Sequence, residues 1–291
     1  MRSVRVRRWW DLAALVILGC AVGCAAPVVT PAPQQAPAVS VPLARDPLQA
    51  PWSLVRGAGS FAHTIRLSSA LVSRVDSIER VDSTTVTLGV NWSRLAGGEP
   101  ARLSGLITEY RLAAGIAEPA EIPGLSLPLA FGGTEGRGAE QAQLEVPSSG
   151  ACGVQAAVMQ HLRELLVSPP PSLREGTRWA DSASYSLCRD SIPLRVRSVR
   201  TFRVVGAERR GTDVVVLVDR SSAITLAGTG AQFGESLTIA GEGSGTMRLE
   251  LRTSDATLHA ARGEVELRMT MRGRRRSQEL RQHTRIEIVS P

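Results

Sequence analysis

The sequence predicts a mainly β protein with one amphipathic helix, an α+β chain built on a curved antiparallel sheet. Three observations carry this reading. Apolar residues recur at every second position through long stretches. The clearest is Glu264 to Arg272, where Val265, Leu267, Met269 and Met271 alternate with polar or charged neighbours. A period of two puts each set on its own face of a strand, and so clean an alternation leaves one face wet, which favours antiparallel over parallel pairing. Secondly, a single stretch keeps the helical period: Val154, Val158, Leu162 and Leu165 fall at i, i+4, i+8 and i+11, while Gln155, Gln160, Arg163 and Glu164 fall elsewhere. Thirdly, the alternating runs are broken by turn-forming clusters such as Gly132 to Gly138, Gly241 to Gly245 and Arg272 to Arg276.

Residues 1–24 form an export signal. Arg2, Arg5, Arg7 and Arg8 precede an apolar run from Leu12 to Leu18 that is too short to span a bilayer. The end of this segment resembles a bacterial lipobox, in which an aliphatic and a small residue precede the cysteine that receives lipid. Both Ile17-Leu18-Gly19-Cys20 and Ala21-Val22-Gly23-Cys24 fit, so Cys24 or Cys20 is the expected lipidation site, with an ordinary secretory cleavage near Ala25 and Ala26 as the competing reading. Cleavage at Cys24 removes four arginines and Asp11, which lowers the formal charge of the chain from +7 to +4. Residues 25–59 are rich in Pro and Ala without periodicity, and the expectation is a stiff tether that lifts a domain from a membrane surface.

Two β-rich halves follow, 60–150 and 178–291, with a helix and Pro-rich connector, 151–177, between them; the arrangement admits a distant duplication. In the first half His63 to Arg74, Thr85 to Trp92, Arg102 to Leu112 and Ala139 to Val146 read as strands, with the polar segment Asp76 to Ser83 as a hairpin tip. In Thr85 to Trp92 the residues Val86, Leu88, Val90 and Trp92 share one face. Ser148 and Ser149 are candidate N-caps of the helix, and Pro169, Pro170 and Pro171 end it. In the second half the expected strands are Leu194 to Val205, Asp213 to Val218, Ser221 to Leu226, Ser236 to Ala240, Thr246 to Thr253, Ala256 to Ala261, Gly263 to Arg272 and Gln278 to Val289.

The chemistry is bounded mostly by what is missing. All 34 basic residues are arginine, which excludes a P-loop lysine, a pyridoxal Schiff base and a Ser-x-x-Lys nucleophile. No cofactor is indicated, since Gly228 to Gly234 lacks the dinucleotide spacing. His63, His161, His259 and His283 have no ligand spacing, and Asp76, Glu79 and Asp82 do not make an EF-hand loop, so no metal site is indicated. No Gly-x-Ser-x-Gly elbow is present. Nucleic acid is not an expected partner, because no stacking aromatics accompany the arginines. Cys152 and Cys188, the cysteines outside the signal, are expected to form a disulfide in an oxidising compartment. A metal pair would need a third cysteine, and a thiol nucleophile would need His161 as its base. The arginine run Arg272-Gly273-Arg274-Arg275-Arg276 reads as a solvated hairpin tip that could also meet anionic head groups.

The alternation of residues 60–290, together with the one helix and the element Gly176 to Trp179 after a Pro-rich loop, resembles bacterial envelope lipoproteins of the LolA-like and LppX-like kind. That resemblance implies a half-open β-barrel covered by a helix, with lipid held between them. It implies no particular site residue. Two functions are therefore expected to compete, both non-enzymatic and both at the periplasmic or outer side of a membrane. In one, Val265, Leu267, Met269 and Met271 of the sheet and Val158 and Leu162 of the helix face a hydrophobic or amphiphilic ligand. In the other, the same residues pack a closed core, and the protein is a structural or interaction lipoprotein. An open apolar cavity separates the first from the second.

Overall fold

The structure, a computed structural model, describes residues 46, 48–55, 57–75, 78–94, 102–114, 120–121, 126–130, 158, 161–162, 167–189, 192–232, 234–274 and 277–291. All of them fall within one compact unit, Arg45–Pro291. The strands are β1 (Trp52–Ser53), β2 (Gly59–Val75), β3 (Ile78–Arg94), β4 (Arg102–Ala114), β5 (Ala120–Glu121), β6 (Ser126–Ala130), β7 (Ser172–Leu173), β8 (Arg178–Arg189), β9 (Ile192–Arg210), β10 (Asp213–Gln232), β11 (Glu235–Arg252), β12 (Leu258–Arg272) and β13 (Ser277–Val289).

One antiparallel sheet dominates, in the order β5-β4-β3-β2-β13-β12-β11-β10-β9-β8, with β6 also on β4. Its two outer strands do not pair with one another among the described residues, so the sheet is curved but open. The strands of both sequence halves are continuous in it: β13 lies against β2 from Glu279↔Arg74 to Val289↔Thr64. A hydrogen bond from Arg189 Nη1 at the end of β8 to Gln282 Oε1 of β13, 3.2 Å, joins strands five places apart in that order and reports how strongly the sheet curls.

Several strands run longer than alternation alone suggests. Asp213 to Val218 and Ser221 to Leu226 are parts of the 20-residue β10. The inward face of β10 reads Val216, Val218, Arg220, Ser222, Ile224, Leu226, and the two polar members hide its continuity. Likewise Gly241 to Gly245 is not a turn but the middle of β11, paired on both sides. Its inward glycines stand where side chains have no room: a Cβ at Gly243 would lie 2.2 Å from the Glu266 carbonyl oxygen, and one at Gly263 of β12 would lie 2.2 Å from that of Thr246. Bare backbone at these points lets neighbouring strands coil tightly. The connection between β2 and β3 is also shorter than expected. β3 begins at Ile78, so most of Asp76 to Ser83 is strand. The run Arg272 to Arg276 does link β12 to β13.

The inward face holds two apolar clusters. The first gathers Ile65, Leu88, Trp92, Phe202, Val218, Leu249 and Ile288 with the small sheet β1–β7 against it. The second gathers Ile192, Leu194, Leu226, Leu237, Ile239, Met269 and Met271. Each fully buried aliphatic or aromatic side chain of this kind stabilises by roughly 1.5–3 kcal/mol. Between the clusters runs a polar waist. Arg200 donates two hydrogen bonds of 2.6 Å to the Asp181 carboxylate, and Ser69 and Thr284 share one of 2.8 Å. A buried charge pair survives only with such fork-to-fork geometry. His63 is 3% exposed, and its Nε2 donates to the Leu258 carbonyl at 2.6 Å. Burial first of all, with the nearby Arg252 guanidinium in the same sense, holds its pKa below the ordinary histidine value; the Leu258 hydrogen bond and Asp255 act against this.

The helix expected within 151–177 is not among the described elements. Of its apolar face, Val158 and Leu162 are described, and both are buried in the first cluster. The strand expected at Ala139 to Val146 and the loop Gly132 to Gly138 lie outside the described residues, as do Cys152 and residues 1–45.

Candidate functional site

Of the residues expected to face a ligand, four are buried and Val265 and Leu267 are half-buried against the core. Met269 and Met271 are 5% and 6% exposed, Leu267 packs on the second cluster and Val265 on the first, and Val158 and Leu162 are 1% and 0% exposed. Alternation identified the correct face of β12; that face belongs to the core. Cys188 is disulfide-bonded, while its expected partner Cys152 and the lipidation candidates Cys20 and Cys24 are outside the described residues. His283 Nε2 lies 3.2 Å from Glu264 Oε2, and His259 Nδ1 lies 3.1 Å from Arg252 Nη2.

A broad concavity lies on the opposite, polar face of the described residues. A trough of about 1480 Å³ crosses β8 to β13 and continues over β2 to Thr85 of β3. It is built from two adjacent cross-strand rows. The first runs Arg178, Arg203, Asp219, Arg248, Arg262, Glu287, Arg66, one residue from each of seven neighbouring strands. The second, two residues along, is largely hydroxylated: Thr201, Ser221 and Thr246 on one side, then Glu264, Arg285, Ser68 and Thr85. Thr201 Oγ1 and Ser221 Oγ are 2.6 Å apart. Each of these side chains points outward because its strand neighbours point inward: the residues between the two rows are Trp179, Phe202, Arg220, Met247, Gly263, Ile286 and Leu67. Trp179 and Phe202 stack on each other with ring centroids 4.8 Å apart, and Phe202 is buried.

The electrostatics of the trough are lopsided. Its three carboxylates are already engaged, Asp219 with Arg248, Glu287 with Arg262 at 3.1 Å and Glu264 with His283. The arginines are not evenly interleaved with them. Arg178 stands directly opposite Arg203, and Arg248 directly opposite Arg262. The sequence concealed this site because its arginines are spread from position 66 to 285. Alternation places each on a wet face, but only the strand register brings them into one line.

No family model and no curated protein matches this chain. Among solved structures it is similar to DynF from the dynemicin biosynthesis pathway of Micromonospora chersina, over 81% of this chain and 83% of that one, at 10% identity and a TM-score of 0.23. It is also similar to Pseudomonas aeruginosa OccK2 (OpdF), solved in complex with glucuronate, over 80% of this chain and 98% of that one, at 8% identity and a TM-score of 0.27. Scores this low carry no argument about shared fold or chemistry.

Proposed function

We propose that this chain is a non-enzymatic cell-envelope lipoprotein that acts as an interaction module on a packed β core. In this reading residues 1–24 direct export, Cys24 or Cys20 carries the lipid anchor, the 25–59 segment is the tether, and the domain faces the periplasm or the cell surface. The helix expected within 151–177 closes the interior, which fits the burial of Val158 and Leu162. The disulfide at Cys188 fits an oxidising compartment.

The observation that carries the choice between core and carrier is the burial of Met269 and Met271, with Val265 and Leu267 half-buried against the two clusters. A LolA-like carrier needs these side chains facing an apolar space, whereas here Met269 and Met271 lie inside the second cluster and Leu267 and Val265 pack against the second and first. Native mass spectrometry of the mature protein purified from its own envelope tests this: the expected mass is that of the lipidated chain alone, and a stoichiometric co-purified lipid would favour the carrier. The anchor is tested separately. Replacing both Cys20 and Cys24 by Ala is expected to abolish metabolic palmitate labelling, and labelling that persists would refute it.

A further inference from the structure

We propose that the trough on the polar face is a binding site for a linear polyanion carrying phosphate or sulfate groups. The inference rests on the reading that this protein works through its surface and not its interior. Charge gives the first support. With the three carboxylates engaged, Arg66, Arg178, Arg203 and Arg285 make no ion pair among the described residues, so the trough holds an excess of positive charge.

Register gives the second. Like charges directly opposed across an antiparallel pair destabilise a sheet, and this row contains two such pairs, Arg178 with Arg203 and Arg248 with Arg262. An anion lying between the guanidinium groups turns that repulsion into attraction, because each guanidinium offers a planar fork that matches phosphate or sulfate oxygens. The hydroxyls of Thr201, Ser221 and Thr246 in the next row supply further donors along the same path.

Length and composition narrow the ligand. Strands about 4.8 Å apart put Arg178 on β8 and Arg66 on β2 roughly 29 Å apart along the sheet, a span that suits a chain of charges and not a single anion. A nucleic acid is disfavoured, since the aromatic residues of the lining, Trp179 and Phe202, stack on each other and give a base no platform.

The test is calorimetric titration of the mature protein in nonionic detergent with tripolyphosphate, dextran sulfate and orthophosphate. Tripolyphosphate and dextran sulfate are expected to bind saturably and orthophosphate much more weakly. The double substitution Arg178→Ala with Arg203→Ala is expected to weaken binding about tenfold or more, the scale set by removing charge-assisted hydrogen bonds. Arg268 and Arg281 are also directly opposed, lie on the same face and do not line the trough, so Arg268→Ala with Arg281→Ala should change affinity less than about twofold on that scale. Should the first variant fold poorly, Arg66→Ser with Arg285→Ser carries the same expectation. Vesicles of phosphatidylglycerol and phosphatidylcholine, into which the acyl anchor inserts whatever the trough does, separate the sources: association that grows with phosphatidylglycerol content and loses that dependence in Arg178→Ala with Arg203→Ala assigns the site to lipid head groups, and association independent of both assigns it to a free polyanion. No binding by any anion, or equal losses in trough and control variants, overturns the proposal. Neither result would touch the filled interior, which the lipid content of the purified protein measures on its own.

Discussion

Replacing Gly243 by Ala should destabilise this protein, although a glycine in a strand is ordinarily a weak point. At an unstrained site the change restricts the unfolded chain and stabilises by about 0.4–1 kcal/mol. Here the added Cβ would meet the Glu266 carbonyl oxygen at 2.2 Å, Leu267 Cδ2 at 2.4 Å and Leu267 Cα at 3.1 Å. The leucine side chain can turn aside, but the carbonyl belongs to the paired strand β12 and can retreat only by opening the ladder at Gly243↔Leu267. Overpacking of this kind costs about 1–3 kcal/mol, and the displaced backbone puts Gly243→Ala at the upper end, about 3 kcal/mol. For a domain of this size that is roughly 6–12 °C in Tm. Gly59→Ala serves as the control, because a Cβ there has nothing within 4 Å. Urea unfolding followed by tryptophan fluorescence reads both. A Gly243→Ala midpoint equal to or above that of the parent would refute the idea that bare backbone lets the sheet coil at this point.

Two further predictions concern single groups. His63 is held neutral by burial, so the unfolded chain takes up its proton near the ordinary histidine pKa while the folded chain resists. Its contribution is therefore complete above about pH 6.5 and is lost as pH falls below that, at no more than about 1.4 kcal/mol per pH unit. His63→Gln should flatten the fall in stability between pH 7 and 5, and an unchanged slope would show that other groups set it. Cys188 is disulfide-bonded, and with Cys152 as its expected partner the bridge closes a loop of about 37 residues, so Cys188→Ser should cost roughly 3–4 kcal/mol. A non-reducing peptide map of the parent should show the 152–188 cross-link, and any other partner for Cys188 would contradict the pairing.

Much of the fold was legible because burial on one face writes itself into the sequence with period two. The inward set of β12 and the long β-rich course of both halves follow from that alone. The failures share a cause: the inward face is not uniformly apolar. Arg220 and Ser222 interrupt the pattern of β10, Gly241, Gly243 and Gly245 that of β11, and Gly263 that of β12, so three long strands read as six short ones. Alternation also cannot say what lies against a face: of the β12 residues expected to meet a ligand, Met269 and Met271 are buried in the core and Val265 and Leu267 pack half-buried against it. The trough was illegible for a different reason. Its residues come from strands far apart in the chain, and the register that aligns them is a property of pairing.

The claim on which the account turns is that the apolar interior is filled, and methionine-oxidation footprinting tests it most directly. Met247, Met269 and Met271 are 3%, 5% and 6% exposed. The mature protein treated briefly with hydrogen peroxide and mapped by peptide mass spectrometry should oxidise all three much more slowly than the urea-unfolded chain does. Oxidation of Met269 and Met271 at the unfolded rate, with Met247 still protected, would mean an open apolar face on β12 and would contradict the account.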